Sequence, residues 1–508
     1  MEAVKNRTEE SVRPAAIAAP LLLALFALHT FLLMGVGTWS DLAMSGEDFG
    51  SALYYAREGV LAAGFLLYAA FAQWRKSHPL SSKAADIADI VLVVLFAACI
   101  VVLQVSNAPS PRVAAVLAIA LIVGVSGGLV YERIALAAFQ ISCTHGKTRV
   151  DNETRTQERL RMRSGDTTRV LGPIVGGGGA LAVALQYALQ TGFSLGVWLN
   201  VCFVICFGLV VWLARKMRRP AQDAQGAKAA SSGSAGSSRN PKSPGAVPLA
   251  CMIVIAICLV ALLSFYEAAM RASGAVASFY EWHRLFMVAG YAIIGVAAYL
   301  GGRSAASVAV LVSALFAIIV SVQTAMLEAG PLTAVLFYIL AAAILAWIVI
   351  MFMSVAAQSQ CPALVASLGR ILIALVTLSG SLIQVAGEPP MMAVLVGSLI
   401  LLAAAVIAMA KGGFLELSAR TADGPAPSEN EPAPSPKENV LLLARECNLT
   451  DREQEVLAAL VLTEEKNQQI ADDLGISRRQ LQTHVSRIYK KTGAATRAGL
   501  VMRVNGES

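Results

Sequence analysis

From Ala15 to Ala410 the chain alternates long apolar runs with short polar breaks, and each run approaches the ~20 residues that a helix needs to cross a bilayer core. We read twelve such segments, near residues 15–37, 52–73, 86–106, 113–141, 169–190, 193–214, 248–270, 281–301, 304–326, 331–354, 363–385 and 390–410. The pattern then changes. Residues 411–445 are rich in Pro, Ala and Glu, too poor in apolar groups to bury a core, and read as a flexible linker. Beyond them apolar positions recur at helical spacing in short sets: Val456, Leu457, Leu460 and Val461, then Ile470, Ala471 and Leu474, then Leu481, Val485 and Ile488. Thr450 with Glu453, and Ser477 with Gln480, stand at capping-box spacing. Gly475 permits a sharp turn, Gly493 ends the third helix, and a fourth begins near Thr496. The expected fold is all-α, a twelve-transmembrane-helix bundle joined by a flexible linker to a four-helix domain.

Composition supports the membrane part. The 508 residues are 56% hydrophobic and 14% charged, with a mean hydropathy of +0.65, which excludes an ordinary soluble protein, where about 25% of residues are charged. Charge sorts by loop. Lys5, Arg7 and Arg13 precede the first segment; Arg75, Lys76 and Lys83 follow the second; Lys147, Arg149, Arg155, Arg159, Arg161, Arg163 and Arg169 follow the fourth. The first loop holds Asp41, Glu47 and Asp48 instead. Basic loops stay on the cytoplasmic side, so both termini are expected in the cytoplasm, in a multi-pass protein of the bacterial cytoplasmic membrane. The first apolar run is longer than a signal-peptide core and reads as a retained span. Eight cysteines lie scattered, mostly in apolar runs and without zinc-site spacing, so buried thiols are expected and neither metal nor cofactor.

Residues 215–247 are long and rich in Ser, Gly and Ala, a linker composition that divides the segments six and six. The expected domains are 1–214, the first six-span half; 215–247, a cytoplasmic linker; 248–410, the second half; 411–445, the flexible linker; and 446–508, the C-terminal domain. A weak internal similarity agrees, since LYYAREGVLAAGFLLYAAF resembles SFYEWHRLFMVAGYAIIGVAAY when Ala63-Gly64 is set on Ala289-Gly290, placing Tyr54 on Tyr280 and Arg57 on His283. Two six-helix halves around a long central loop resemble the major facilitator superfamily, whose parallel repeats enclose a site at the membrane midplane. The loop after the second segment, FAQWRKSHPLSSKAAD, lacks the Gly and Asp pattern usual in those transporters, which leaves a binding bundle as the reading favoured over active transport.

Ionisable residues inside spans are costly, about +2.5 to +3.5 kcal/mol at a helix centre, so each is a site candidate. The expected ligand-binding set is His29, Tyr54, Arg57, Glu58, Glu132, Glu267, Tyr280 and His283. Arg133, Arg284 and Arg370 either reach for the headgroups or join a ligand cavity, and Arg57 and Glu58, adjacent in sequence, are each expected to find a partner on another helix. The four glycines from Gly176 to Gly179 read as a close helix crossing.

Between Glu446 and Ser508 nine basic residues balance nine acidic ones, yet Ser477 to Val504 holds seven bases and no acid. Ala471, Gly475 and Leu481 stand where a helix-turn-helix needs a small crossing residue, a turn and a core anchor. The segment resembles the LuxR/NarL-type helix-turn-helix family, with Leu449-Thr450, Arg452-Glu453, Glu455-Val456-Leu457, Asn467, Ile470-Ala471, Leu474, Ser477, His484-Val485, Ile488-Tyr489, Lys491, Gly493, Arg497 and Leu500 in register. It departs from the family at Glu464 and at Gln480-Leu481-Gln482. The resemblance implies a third helix in the major groove of double-stranded DNA and a fourth that pairs two copies on an inverted repeat. By position Arg478, Arg479, Gln482, Thr483 and Ser486 are expected at base edges, and Arg487, Lys490 and Lys491 at phosphates. The function expected is therefore that of a membrane-embedded one-component transcription regulator sensing a small molecule, not an enzyme. The alternative is a transporter with an appended DNA-binding domain.

Overall fold

A computed structural model describes residues 2–43, 50–78, 81–149, 167–192, 197–217, 246–272, 282–326, 331–385, 391–414, 439–440, 443–444, 447, 449–463, 467–492, 494, 496–497 and 500–501. All regular structure among the described residues is helical. The chain divides into two compact units, residues 1–416 and 417–508.

The first unit comprises α1 (Glu2–Ala43), α2 (Gly50–Ser77), α3 (Ser82–Val105), α4 (Pro109–Arg149), a π-helical turn (Pro173–Gly177) leading into α5 (Gly178–Gly192), α6 (Val197–Lys216), α7 (Ala246–Ala272), a 3-10 turn (Trp282–Phe286) leading into α8 (Met287–Met326), α9 (Pro331–Ala356), α10 (Pro362–Val385) and α11 (Met391–Lys411). Eight described stretches are long and apolar enough to cross a membrane. Twelve were expected. Trp282–Val320 counts as one stretch but contains an elbow at Gly302, whose φ of 63° and ψ of −146° suit glycine and break the helix into two arms. Pro362–Leu378 and Leu395–Lys411 are apolar stretches within α10 and α11, helices of 24 and 21 residues, and α2 carries Arg57 and Glu58 in its interior. Large apolar side chains such as Ile90, Val94, Val105, Trp198, Ile205 and Leu300 stand exposed on the outside, which suits a lipid-facing surface and no aqueous one.

Inside, helices approach through glycine. Gly64 of α2 faces the backbone of α4, where an added Cβ would stand 2.5 Å from the Leu121 carbonyl oxygen. Gly290 of α8, set on Gly64 by the internal repeat, meets the Ile339 carbonyl of α9 in the same way. Gly172 and Gly176 press against Gly295, so the glycine-rich stretch is a helix crossing, as expected. Gly290→Val should therefore overpack the α8–α9 contact and cost about 1–3 kcal/mol. Gly397→Val, at a glycine with open space around it, should cost little. Thermal unfolding of the detergent-solubilised chain compares the two, and equal losses would contradict this packing.

The second unit contains α12 (Asp451–Leu462), α13 (Asn467–Asp473) and α14 (Arg478–Thr492). Val456, Leu457, Leu460, Ile470, Ala471, Leu481, Ile488 and Leu500 form its core. Val440, Leu443 and Ala444 join that core from the end of the stretch read as linker. Thr450 caps α12 in a complete capping box with Glu453. The Ser477 N–H donates to Gln480 Oε1 at 3.0 Å while the Gln480 N–H donates back to Ser477 Oγ at 3.3 Å. Gly475 makes the turn with φ 62°. All eight cysteines are free; Cys258 is buried and the others are half-buried, so the expectation of buried thiols holds for Cys258 alone.

Candidate functional site

Within the membrane unit a cavity of about 220 Å³ opens between helices from both ends of the sequence: α1, α2, α4, the π turn, α7, the 3-10 turn, α8, α9 and α10. Most of its wall is apolar, with Phe26, Leu33, Val260 and Leu345 as examples, and its charges are Arg57, Glu58, Arg284 and Arg370. Arg57 Nη2 donates to Glu58 Oε1 at 2.9 Å. Arg370 Nη2 lies 3.5 Å from Glu58 Oε2, so one carboxylate is held between two guanidinium groups. Glu58 thus finds a partner on another helix, as expected, and what is corrected is that Arg57 and Glu58 also pair with each other. The arginine side chain is long enough to turn back to its neighbour, and the second partner, Arg370, comes from α10. Arg284 and Arg370 line the interior instead of reaching for headgroups.

The remaining candidates are placed elsewhere. His29 is fully buried, its Nε2 3.2 Å from the Val123 carbonyl oxygen, and its ring packs edge-on against Tyr131 at 5.7 Å, so it ties α1 to α4 behind the cavity wall. Glu132 accepts a 2.6 Å hydrogen bond from the Tyr68 hydroxyl and ties α4 to α2. His283 stacks on Trp282, its ring centroid 4.0 Å away, beside Arg284 and outside the lining. Tyr280 and the side chains of Tyr54 and Glu267 lie outside the described residues. Tyr131, one of the aromatics that the sequence sets beside the intramembrane charges, lines the cavity, and so do Thr30 and Tyr291, which the sequence does not single out. Spacing gives no signal for Thr30; only the fold brings it into the same cavity lining as Arg370.

In the second unit, Arg478, Arg479, Gln482, Thr483, Ser486, Arg487, Lys490 and Lys491 are all exposed along α14, opposite the buried Leu481 and Ile488. The Thr483 hydroxyl donates to the Arg479 carbonyl at 3.0 Å. Gln480 and Gln482, the pair that departs from the family, are both exposed, and Gln480 Oε1 is held by its cap. Lys491 differs from its neighbours: its ammonium donates to the buried Glu453 carboxylate at 2.6 Å and joins the recognition helix to the cap of α12. Among the described residues no His, Cys, Asp and Glu converge as a metal site.

Residues 447–504 match the family of bacterial regulatory proteins, luxR family. The C-terminal unit carries a luxR-family DNA-binding domain. The chain is also similar in structure to the human organic anion transporter MFSD10 (TETRAN), at 14% identity over 80% of this chain and 99% of that one, with a TM-score of 0.47. No curated protein matches the chain.

The register of the luxR domain now has physical content. Arg452 donates to the Leu474 carbonyl at 2.6 Å and closes the end of α13. Arg497 donates to the carbonyls of Leu460 and Thr463 and closes the end of α12. Glu453 is held at about 2, from an ordinary 4.5, first by the hydrogen bond from Lys491 and then by the Thr450 N–H. The unfolded carboxyl takes up a proton near 4.5 while the folded one stays ionised down to about 2, so the pair stabilises the domain fully above that range. Its contribution is lost as pH falls from about 4.5 to about 2. Lys491→Met should cost roughly 1–3 kcal/mol at neutral pH, because it leaves a buried carboxylate short of a donor. It should also flatten that acid limb. Hydrogen exchange over residues 451–492 of the full-length chain measures both effects, and unchanged protection would contradict the role given to Lys491.

Proposed function

We propose that this chain is a membrane-embedded one-component transcription regulator, in which a bundle of spans senses a small molecule and the tethered luxR domain binds promoter DNA. One coincidence supports the reading above all. A single chain joins a luxR domain with an exposed basic helix to a membrane unit whose apolar interior retains a charged, ligand-sized cavity. Buried charge is expensive and does little for stability on its own, so its retention in a cavity favours a ligand role.

The bundle is read as twelve spans in two six-helix halves. Support comes from the Gly302 elbow and from the apolar stretches of α10 and α11 together with α2, and the matched crossings at Gly64 and Gly290 favour an internal repeat. The loop charges put both termini on the cytoplasmic side of a bacterial membrane. Two copies meet through the segment that begins at Thr496, where the Leu500 N–H donates to the Thr496 carbonyl at 3.0 Å in a helical turn.

Coupling is assigned to Phe414, at the start of the stretch read as linker. Its buried ring lies under Arg303, 3.5 Å from centroid to guanidinium, and beside Trp347 of α9. The same helix lines the cavity through Leu345, Ala346 and Val349. Phe414→Ala should leave promoter affinity intact and remove its dependence on cavity occupancy, and Phe414→Leu should keep most of it. A transcription reporter reads both variants.

The proposal is tested with the full-length chain in proteoliposomes. It should retard DNA from the region around its own coding sequence without concentrating solutes. Failure to retard any such DNA sinks the regulator; concentrative uptake would favour the transporter.

A further inference from the structure

The apolar walls and the excess of guanidinium in the membrane cavity make its charge balance the property that decides what it can hold. Three guanidinium groups, from Arg57, Arg284 and Arg370, face one carboxylate, Glu58, among its described lining residues. Glu58 is shared, with Oε1 taken by Arg57 and Oε2 approached by Arg370, so a single negative charge is spread over two positive ones. Arg284 adds a third from the 3-10 turn before α8. Arg57 and Arg284 also engage further groups. The open bonding capacity lies with two other residues. Arg370 Nε is buried without a hydrogen-bond partner, and so is the hydroxyl of Thr30, a residue only 6% exposed that lines the cavity from α1.

We infer that the cavity is built for a small organic anion with an apolar body, its anionic oxygens taken by Arg370 and Thr30. This rests on the reading of the cavity as the input site. In an apolar interior a buried charge is tolerated when it is paired and hydrogen-bonded, and an anion meets that requirement while relieving two buried polar atoms that have no partner. A cation would face three guanidinium groups. At about 220 Å³ the cavity is below the ~300–1,000 Å³ of sites for drug-sized ligands, which selects a compact compound.

The experiment titrates the purified full-length chain with benzoate, benzyl alcohol and benzylammonium by calorimetry, and measures promoter affinity of the same preparation. Benzoate should bind saturably, ahead of the neutral alcohol, and benzylammonium should not bind. Arg370→Met should weaken benzoate by about tenfold or more, the loss of one charge-assisted contact. It leaves Arg57 paired with Glu58, so the bundle keeps its nearer ion pair. Thr30→Val, which preserves shape, should weaken benzoate by a few-fold and stands in if the arginine variant does not fold. The assignment is overturned by tighter binding of benzylammonium, by benzoate binding that both variants leave unchanged, or by no saturable benzoate binding at millimolar concentration. The two readings fail separately. Bound benzoate that leaves promoter affinity unchanged supports the anion site and counts against the sensor. Benzylammonium that shifts promoter affinity does the reverse.

Discussion

Alanine at both Arg478 and Arg479 removes sequence-specific DNA retention by the full-length protein while leaving its fold unchanged. Both side chains are exposed at the first turn of α14, where a helix in the major groove reaches base edges, and neither belongs to the core. A good bidentate contact to a base is worth about 1–3 kcal/mol, so the pair together is expected to cost roughly 2–6 kcal/mol of discrimination. Arg487→Ala and Lys490→Ala should behave differently. As phosphate contacts they weaken all sequences alike and lower the salt slope by about one unit each. Retardation of specific and unrelated DNA across a salt series separates the two classes. Equal loss on both DNAs for Arg478 and Arg479 would contradict the division of roles along the helix.

Glu58→Leu destabilises the membrane unit far more than Arg370→Met. The reason is asymmetry in the triad. Removing Glu58 leaves Arg57 and Arg370 both without their shared carboxylate, and breaking a buried pair from one side costs about 3–5 kcal/mol. Removing Arg370 leaves the 2.9 Å pair between Arg57 and Glu58 in place. Thermal unfolding in detergent compares the two, with Glu58→Gln as an intermediate that retains hydrogen bonding. If the arginine variant were the less stable, Glu58 could not be the shared partner.

The elements that could be read from sequence are those set by local rules. The capping boxes at Thr450 and Ser477, the positive φ at Gly475 and the inward Leu481 and Ile488 depend on residues within one or two turns, and α12, α13 and α14 form where the pattern placed them. Gly64 and Gly290 were visible because a close helix crossing needs the smallest residue. What could not be read is convergence across the fold. Arg284 and Arg370 stand on separate elements, and nothing in their spacing places them with Glu58 around one cavity. Lys491 looks like one more base on a basic helix until the fold sets it against Glu453, 38 residues earlier. One missed feature was legible: Val440, Leu443, Ala444 and Cys447 recur at helical spacing, and all pack in or against the core of the C-terminal unit.

The most direct measurement follows transcripts of the neighbouring genes in a strain lacking this chain, complemented with variants present at equal level in the membrane. Wild type should restore the pattern, and the Arg478→Ala, Arg479→Ala double variant should not. Arg370→Met, with its luxR domain untouched, should give transcript levels that no longer respond to growth conditions. Restoration by the double variant, or an Arg370→Met strain indistinguishable from wild type under every condition, would contradict the claim that the membrane bundle governs the DNA-binding domain.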